Sequence, residues 1–170
     1  MDDFNYHRPE KIEEAIFLYS NSDDPMYLSG GMTLIPTMKQ RLAEPTDVID
    51  LSGIRELTGI KSTKQKISIG AFTRHNEVAN HELVKSNLPV LSKLAGDIGD
   101  NQVRNRGTIG GSVANSDPAA DYPAAIVGLG ATVVTQKSKI TGDDFFLDLF
   151  ETALEPGEII VRLDFPIPKR

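Results

Sequence analysis

The chain has 170 residues, 39% hydrophobic and 25% charged, an ordinary composition for a globular domain long enough to bury a sizeable core. Its 24 acidic and 18 basic residues give a net charge of −6, which excludes general attraction to a nucleic-acid backbone and requires any bound anion to be held locally. With no cysteine, disulfides, thiolate metal sites, iron–sulfur ligation and a cysteine nucleophile are excluded. No apolar run approaches the roughly 20 residues of a membrane-spanning helix. The start, Met1 to Arg8, has neither the basic residues nor the apolar stretch of a secretory signal, so the expectation is a cytoplasmic protein.

In chain order, "PEKIEEAIFLYSN" from Pro9 places Ile12, Ala15, Ile16 and Tyr19 at helical spacing, with proline in the first turn. A short strand over Met26 to Ser29 follows, then Gly30 and Gly31, then a helix capped near Met32 or Thr33 with Leu34, Met38 and Leu42 on one face. Val48 to Leu51 reads as another strand, so residues 1 to about 57 form a small parallel α/β lobe. From about 58 to 170 the pattern changes to α+β with an antiparallel sheet. "GIKSTKQKISIGAF" reads as a hairpin, "TRHNEVANHELVKSN" and "LPVLSKLAGDI" as two helices, and "SDPAADYPAAIVGLG" as a helix capped by Ser116 or Asp117. The tail from "ATVVTQK" to "EIIVRLDFP" is rich in strands, and the chain stops soon after, at "PIPKR".

Two glycine pairs carry the chemical interest. Adjacent glycines expose amides that can converge on an anion, and "YLSGGMTL" sits between a strand and a helix, where α/β proteins bind phosphate. "RGTIGGS" adds the hydroxyls of Thr108 and Ser112, with Arg104 and Arg106 just upstream. For 14 glycines, two such pairs are close to chance, so an ordinary tight turn remains the favoured reading of the first pair and a glycine-bearing hairpin turn an equal reading of the second. Rossmann and P-loop fingerprints are absent. His7, His75 and His81 form no metal pattern and read as surface or helix-end residues, and Ser112 and Ser116 lack a plausible nearby base. Asp117 reads as a helix cap, whereas Asp121, in the first turn, could equally accept from a ligand.

The ordered set "FNYHRPEKIEEAI", "YLSGGMTLIPTMKQRLAEPTDVIDLSGIREL", "ISIGAFTRHNEV" and "IGDNQVRNRGTIGGSVANSDPAAD" resembles the FAD-binding (medium) subunit of molybdenum hydroxylases, the group of molybdenum-type carbon monoxide dehydrogenase and xanthine dehydrogenase. The resemblance implies a two-lobed FAD-binding PCMH-type fold, akin to flavoproteins of the vanillyl-alcohol oxidase type, with FAD between the lobes. It implies that Ser29 to Leu34 (Ser29, Gly30, Gly31, Met32, Thr33, Leu34) and Thr108 to Ser112 (Thr108, Ile109, Gly110, Gly111, Ser112) face each other across the pyrophosphate. Tyr27 and Leu28 would line the first stretch, Asn115 and Asp121 would make polar contacts, Leu154 an apolar one, and Ile98 would pack near the flavin where xanthine dehydrogenase has an aromatic residue. A bulkier residue at Gly110 or Gly111 would then block the phosphate.

The resemblance also implies partners: a large subunit carrying the molybdenum cofactor and a small subunit carrying two [2Fe–2S] clusters. Electrons would pass through FAD to NAD, a quinone or oxygen, with no catalytic side chain on this chain. The family's usual C-terminal flavoprotein domain is absent from the 170 residues, and the lack of cysteine sets the chain apart from the 4-hydroxybenzoyl-CoA reductase type. The alternatives are a self-contained flavin oxidoreductase and a non-catalytic nucleotide-binding module.

Overall fold

The computed structural model describes residues 3–168; Met1, Asp2, Lys169 and Arg170, the outer ends of the terminal stretches read above, lie outside them. The first half of the pattern builds β1 (Asn5–His7), α1 (Ile12–Ser20), β2 (Pro25–Leu28), α2 (Leu34–Lys39) and β3 (Asp47–Asp50). The three strands pair in parallel in the order β1-β3-β2, with Tyr6, Val48 and Met26 in register. Val48 and Ile49 are buried, as expected of the middle strand of a parallel sheet covered on both faces. α1 begins three residues after Pro9 and buries Ile12 and Ala15 against Ile49, Leu51, Ile54 and Leu57. Pro36 is tolerated as the third residue of α2, where its missing N–H has no intrahelical acceptor. The helix buries Met38 but not the predicted Leu42, which is 74% exposed because the chain leaves the helix through a left-handed residue, Arg41 (φ 57°).

The second half opens with the hairpin of β4 (Ile60–Ser62) and β5 (Lys66–Gly70), followed by α3 (His75–Asn80), α4 (Glu82–Asn87) and α5 (Pro89–Asp97). What reads as one helix before Pro89 is thus two. His81 takes an extended conformation, ends α3, and caps α4 by accepting from the Leu83 amide through Nδ1. Next come α6 (Asn101–Arg106), α7 (Ile109–Asn115) and α8 (Asp121–Gly128), then β6 (Thr132–Thr135), β7 (Lys139–Thr141), α9 (Gly142–Phe145), β8 (Phe146–Asp148), β9 (Glu151–Thr152) and β10 (Ile160–Pro166). The main sheet is antiparallel, in the order β4-β5-β10-β6-β7.

One face of that sheet, with Ile67, Ile69, Val133, Leu163 and Phe165, packs under Leu91, Ile109, Val113, Tyr122 and Ile126 of the helices. On β10, Asp164 gathers Lys66, Ser68 and Arg162. Burial alone would raise the Asp164 pKa, but these three donors outweigh it and hold the carboxyl below its usual range. The product is a two-lobed α+β fold with a small parallel lobe beside a larger antiparallel one, as the sequence implies.

Candidate functional site

Where β2 ends, the chain runs through Ser29, Gly30 and Gly31 (φ 74°) into α2. Gly30 lies against backbone of the other lobe: a Cβ there would stand 2.3 Å from the Arg106 carbonyl oxygen and 2.7 Å from Gly107 Cα. Beside it, Ser29 Oγ and Thr108 Oγ1 are 2.7 Å apart, so the two glycine stretches do meet. A cavity of about 950 Å³ opens along this junction, walled by Met32 and Thr33 on one side and Gly111, Ser112 and Asn115 on the other. Its volume is at the upper end of the range typical of cofactor sites.

The two stretches differ in what their backbone offers. "TIGGS" is neither a hairpin turn nor a free loop; Thr108 is the N-cap of α7 and both glycines are helical. Its amides are engaged: Ile109 N–H donates to Thr73 O (3.0 Å), Gly110 N–H to Ala71 O (2.8 Å), Gly111 N–H to Thr108 Oγ1 (3.2 Å) and Ser112 N–H to Thr108 O (3.1 Å). By contrast, among the described residues the amides of Gly30, Gly31, Met32 and Thr33 donate to no protein acceptor. Four consecutive free donors beside two hydroxyls suit an anionic group and would be poorly satisfied without one or water.

Gly110 therefore has a different reason to be glycine from the one expected. Its Cβ would lie 2.5 Å from Ala71 Cβ and 2.7 Å from Ala71 O, so the bare Cα is required for close packing of α7 on the segment after β5, while Gly110 also lines the cleft. At Gly111 a Cβ would meet Thr108 Oγ1 at 2.8 Å and Ser29 Cβ at 3.4 Å, facing the seam between lobes.

Of the other anticipated residues, Tyr27, Leu34, Ile98 and Leu154 also line the cleft. Tyr27 stacks on Tyr19, with ring centroids 4.8 Å apart, and donates its hydroxyl to Gly157 O at 3.1 Å; burial raises its pKa. Three residues lie elsewhere. Leu28 faces a second cavity behind Ser29, Ile109 is fully buried in the core of the larger lobe, and Asp121 is exposed on the first turn of α8. Asp117 and Ala120, just before it, reach the cleft instead. Nor does Asp117 cap α8: its carboxylate accepts from the Ala119 amide in the preceding turn, and Ser116 is the left-handed C-cap of α7. Arg104 caps α5 by donating to the carbonyls of Ile98 and Gly99, which fixes Ile98 at the cleft edge.

His75, read from the sequence as a surface or helix-end residue, does stand at a helix end but is buried rather than on the surface. It opens α3, is 4% exposed and lines the cleft from beneath the second glycine stretch, where a Cβ on Gly107 would come within 2.5 Å of its Nε2. Burial depresses its pKa to about 4, so the ring is neutral at physiological pH. Its backbone N–H donates to Gly107 O, which ties α3 to the stretch leading into α7. No group of three or more metal-ligating carboxylates and histidines occurs among the described residues.

Thr108 has two duties here, capping α7 and meeting Ser29 across the seam. Thr108→Val is expected to lower stability by about 1 kcal/mol or somewhat more, the usual worth of an N-cap, measured by urea unfolding; an unchanged midpoint would show that the cap contributes nothing.

A family model described as the FAD binding domain in molybdopterin dehydrogenase matches residues 2–168. The glyceraldehyde dehydrogenase medium chain of Sulfolobus acidocaldarius is 35% identical over 169 residues, covering 97% of this chain and 60% of its own length. The carbon monoxide dehydrogenase medium chain of Hydrogenophaga pseudoflava is 38% identical over 168 residues, covering 96% of this chain and 58% of the relative. The solved carbon monoxide dehydrogenase of the same organism, in a form lacking the Mo-pyranopterin moiety of the molybdenum cofactor, superposes with a TM-score of 0.96 at 38% identity, over 99% of this chain and 60% of that one. The 170 residues thus span about three fifths of the length of these relatives. The match runs through both lobes, and the chain belongs to the family of FAD-binding domains in molybdopterin dehydrogenases.

Proposed function

We propose that the protein is the FAD-holding part of a multi-subunit molybdenum hydroxylase, and that FAD lies in the cleft with its diphosphate at Gly30 to Thr33. The observation that carries this reading is the row of four unengaged amides in that stretch, opposite the Ser29–Thr108 hydroxyl pair. Neutral backbone donors accept a doubly charged group within a chain of net charge −6 without a lysine cluster. Thr108 is the point of contact from the second stretch, because its hydroxyl can turn from Ser29 toward the ligand while the amides behind it remain in the helix. Gly111, Ser112 and Asn115 give the far wall its shape and side-chain donors, and Ile98 and Leu154 offer apolar surface suited to a ring system. Asp121, exposed on the first turn of α8, stands outside the cleft wall.

Bound there, FAD would supply the two-electron carrier between iron–sulfur clusters of a small subunit and an external acceptor such as NAD, a quinone or oxygen. Substrate oxidation would occur at a molybdenum cofactor on a large subunit. The names of the relatives, medium chains of dehydrogenases, support a multi-subunit setting. This chain's residues would bind and orient the cofactor and tune it through burial and hydrogen bonds.

The test is reconstitution. Purified protein titrated with FAD is expected to quench flavin fluorescence saturably at one equivalent and to retain flavin absorbance after desalting. A folded protein that never retains flavin, or does so equally well with the Gly30 stretch altered, would overturn the assignment.

A further inference from the structure

Ser29 and Gly30 form a wall between two cavities. Behind the cofactor cleft lies a second cavity of about 770 Å³, at the carboxyl ends of all three parallel strands: Arg8 follows β1, Leu28 ends β2 and Asp50 ends β3. Sheets of this kind present ligands at that edge. The opposite wall comes from the larger lobe, through Arg74 at the start of α3 and Arg106 at the end of α6.

We propose that this second cavity binds a phosphate-bearing small molecule, separately from FAD, through Arg8, Arg74 and Arg106. Three guanidinium groups from three separate segments line one cavity in a chain that is acidic overall. Among the described residues, the Arg74 and Arg106 side chains have no hydrogen-bond or ion-pair partner, while Arg8 donates only to Ser52 Oγ, at 3.0 Å. Neither of the two carboxylates in the cavity is ion-paired with them, although Asp50 and Glu77 offset part of the charge of the three arginines and leave the lining one positive charge in excess. Asp50 accepts from the Tyr6 hydroxyl and the Ser52 amide, and Glu77 accepts from the Arg74 backbone amide. His81 has its Nδ1 engaged by the Leu83 amide. Exposed arginine forks, two without a protein acceptor and the third bonded only to a hydroxyl, on the walls of a cavity of nucleotide size match the planar recognition of phosphate oxygens. FAD cannot be that ligand if its diphosphate occupies the free amides on the other side of Gly30. The proposal therefore goes beyond the cofactor reading, although it shares a wall with that site.

Calorimetric titration of the FAD-loaded chain with inorganic pyrophosphate, and in parallel with ADP, tests it. Saturable one-site binding is expected for both, with the flavin spectrum retained throughout. R74Q and R106Q should each weaken pyrophosphate binding about tenfold or more, and the double variant should abolish it while still holding FAD. Equal affinity for the two probes means that the phosphate group alone is recognised; tighter ADP binding means that a nucleotide is. Absence of saturable binding, an unchanged affinity in the double variant, or displacement of FAD by either probe would overturn the second site. Because flavin absorbance is followed in the same samples, failure to hold FAD is distinguishable from failure to bind the anion.

Discussion

Adding one methyl group at Gly30 is expected to weaken FAD binding roughly 10- to 100-fold, more than any other small change in the cleft. The Cβ of Gly30→Ala would sit 2.3 Å from the Arg106 carbonyl oxygen and 2.7 Å from Gly107 Cα, and neither neighbour is a side-chain end that can swing away. Backbone must move, either by parting the lobes at their closest approach or by dragging Ser29 and the free amides off their line. Either movement would separate donors that, in the proposed site, act together on one diphosphate. Overpacking of this kind costs about 1–3 kcal/mol, and here it falls on the stretch proposed to hold the diphosphate. The control is Gly128→Ala on the last residue of α8, where a Cβ meets nothing within 4 Å; it should leave FAD affinity unchanged and raise stability slightly. If Gly30→Ala binds FAD as tightly as the parent in fluorescence titration, the diphosphate does not rest on that stretch.

The same geometry shows which parts of the site could be read in advance. "YLSGGMTL" is legible because its signals are local: a β-rich tetrapeptide, two glycines, one of which has positive φ, and a helix whose proline falls in the tolerated first turn. "TIGGS" is not, since two glycines argue against a helix on propensity, and α7 forms there because Thr108 caps it and Gly110 lets it press onto Ala71. That contact joins residues 39 positions apart, and nothing near Gly110 announces it. The split at His81 is equally hidden, for the apolar spacing of Val78 and Val84 continues across a residue that has become a cap. The resemblance implies that the two stretches face each other, and Ser29 and Thr108 do meet, whereas Ile109 and Leu28 lie off the cleft. A residue inside a binding motif can face the core or the far side of the wall, because adjacent side chains in a helix turn or strand point in different directions.

His75 gives the protein a dependence on pH that its composition does not announce. In the unfolded chain the ring titrates near 6.5, whereas in the folded protein burial depresses the value to about 4. Between those values the unfolded state binds a proton that the folded state refuses, so stability is full above about pH 6.5 and falls as the solution is acidified. The shift corresponds to about 2 kcal/mol lost by pH 5 and about 3 kcal/mol once pH 4 is passed. Asp47, held low chiefly by its hydrogen bond from His7, and Asp164, held low by Lys66, Ser68 and Arg162 against the opposing effect of burial, also lose stabilisation in acid. Their loss begins only as pH falls through the carboxylate range, below the upper part of the histidine window. Urea unfolding at pH 7 and pH 5 should therefore show the loss in the parent, and His75→Phe, which has nothing to protonate, should remove most of it between those two values. A parent protein equally stable at both would mean that the ring takes up its proton in the folded state. It would also mean that the floor of the cofactor cleft is wetter than its burial of 96% of that side chain's residue implies, since only water reaching the imidazole could solvate the charge beneath Thr108 and Gly107.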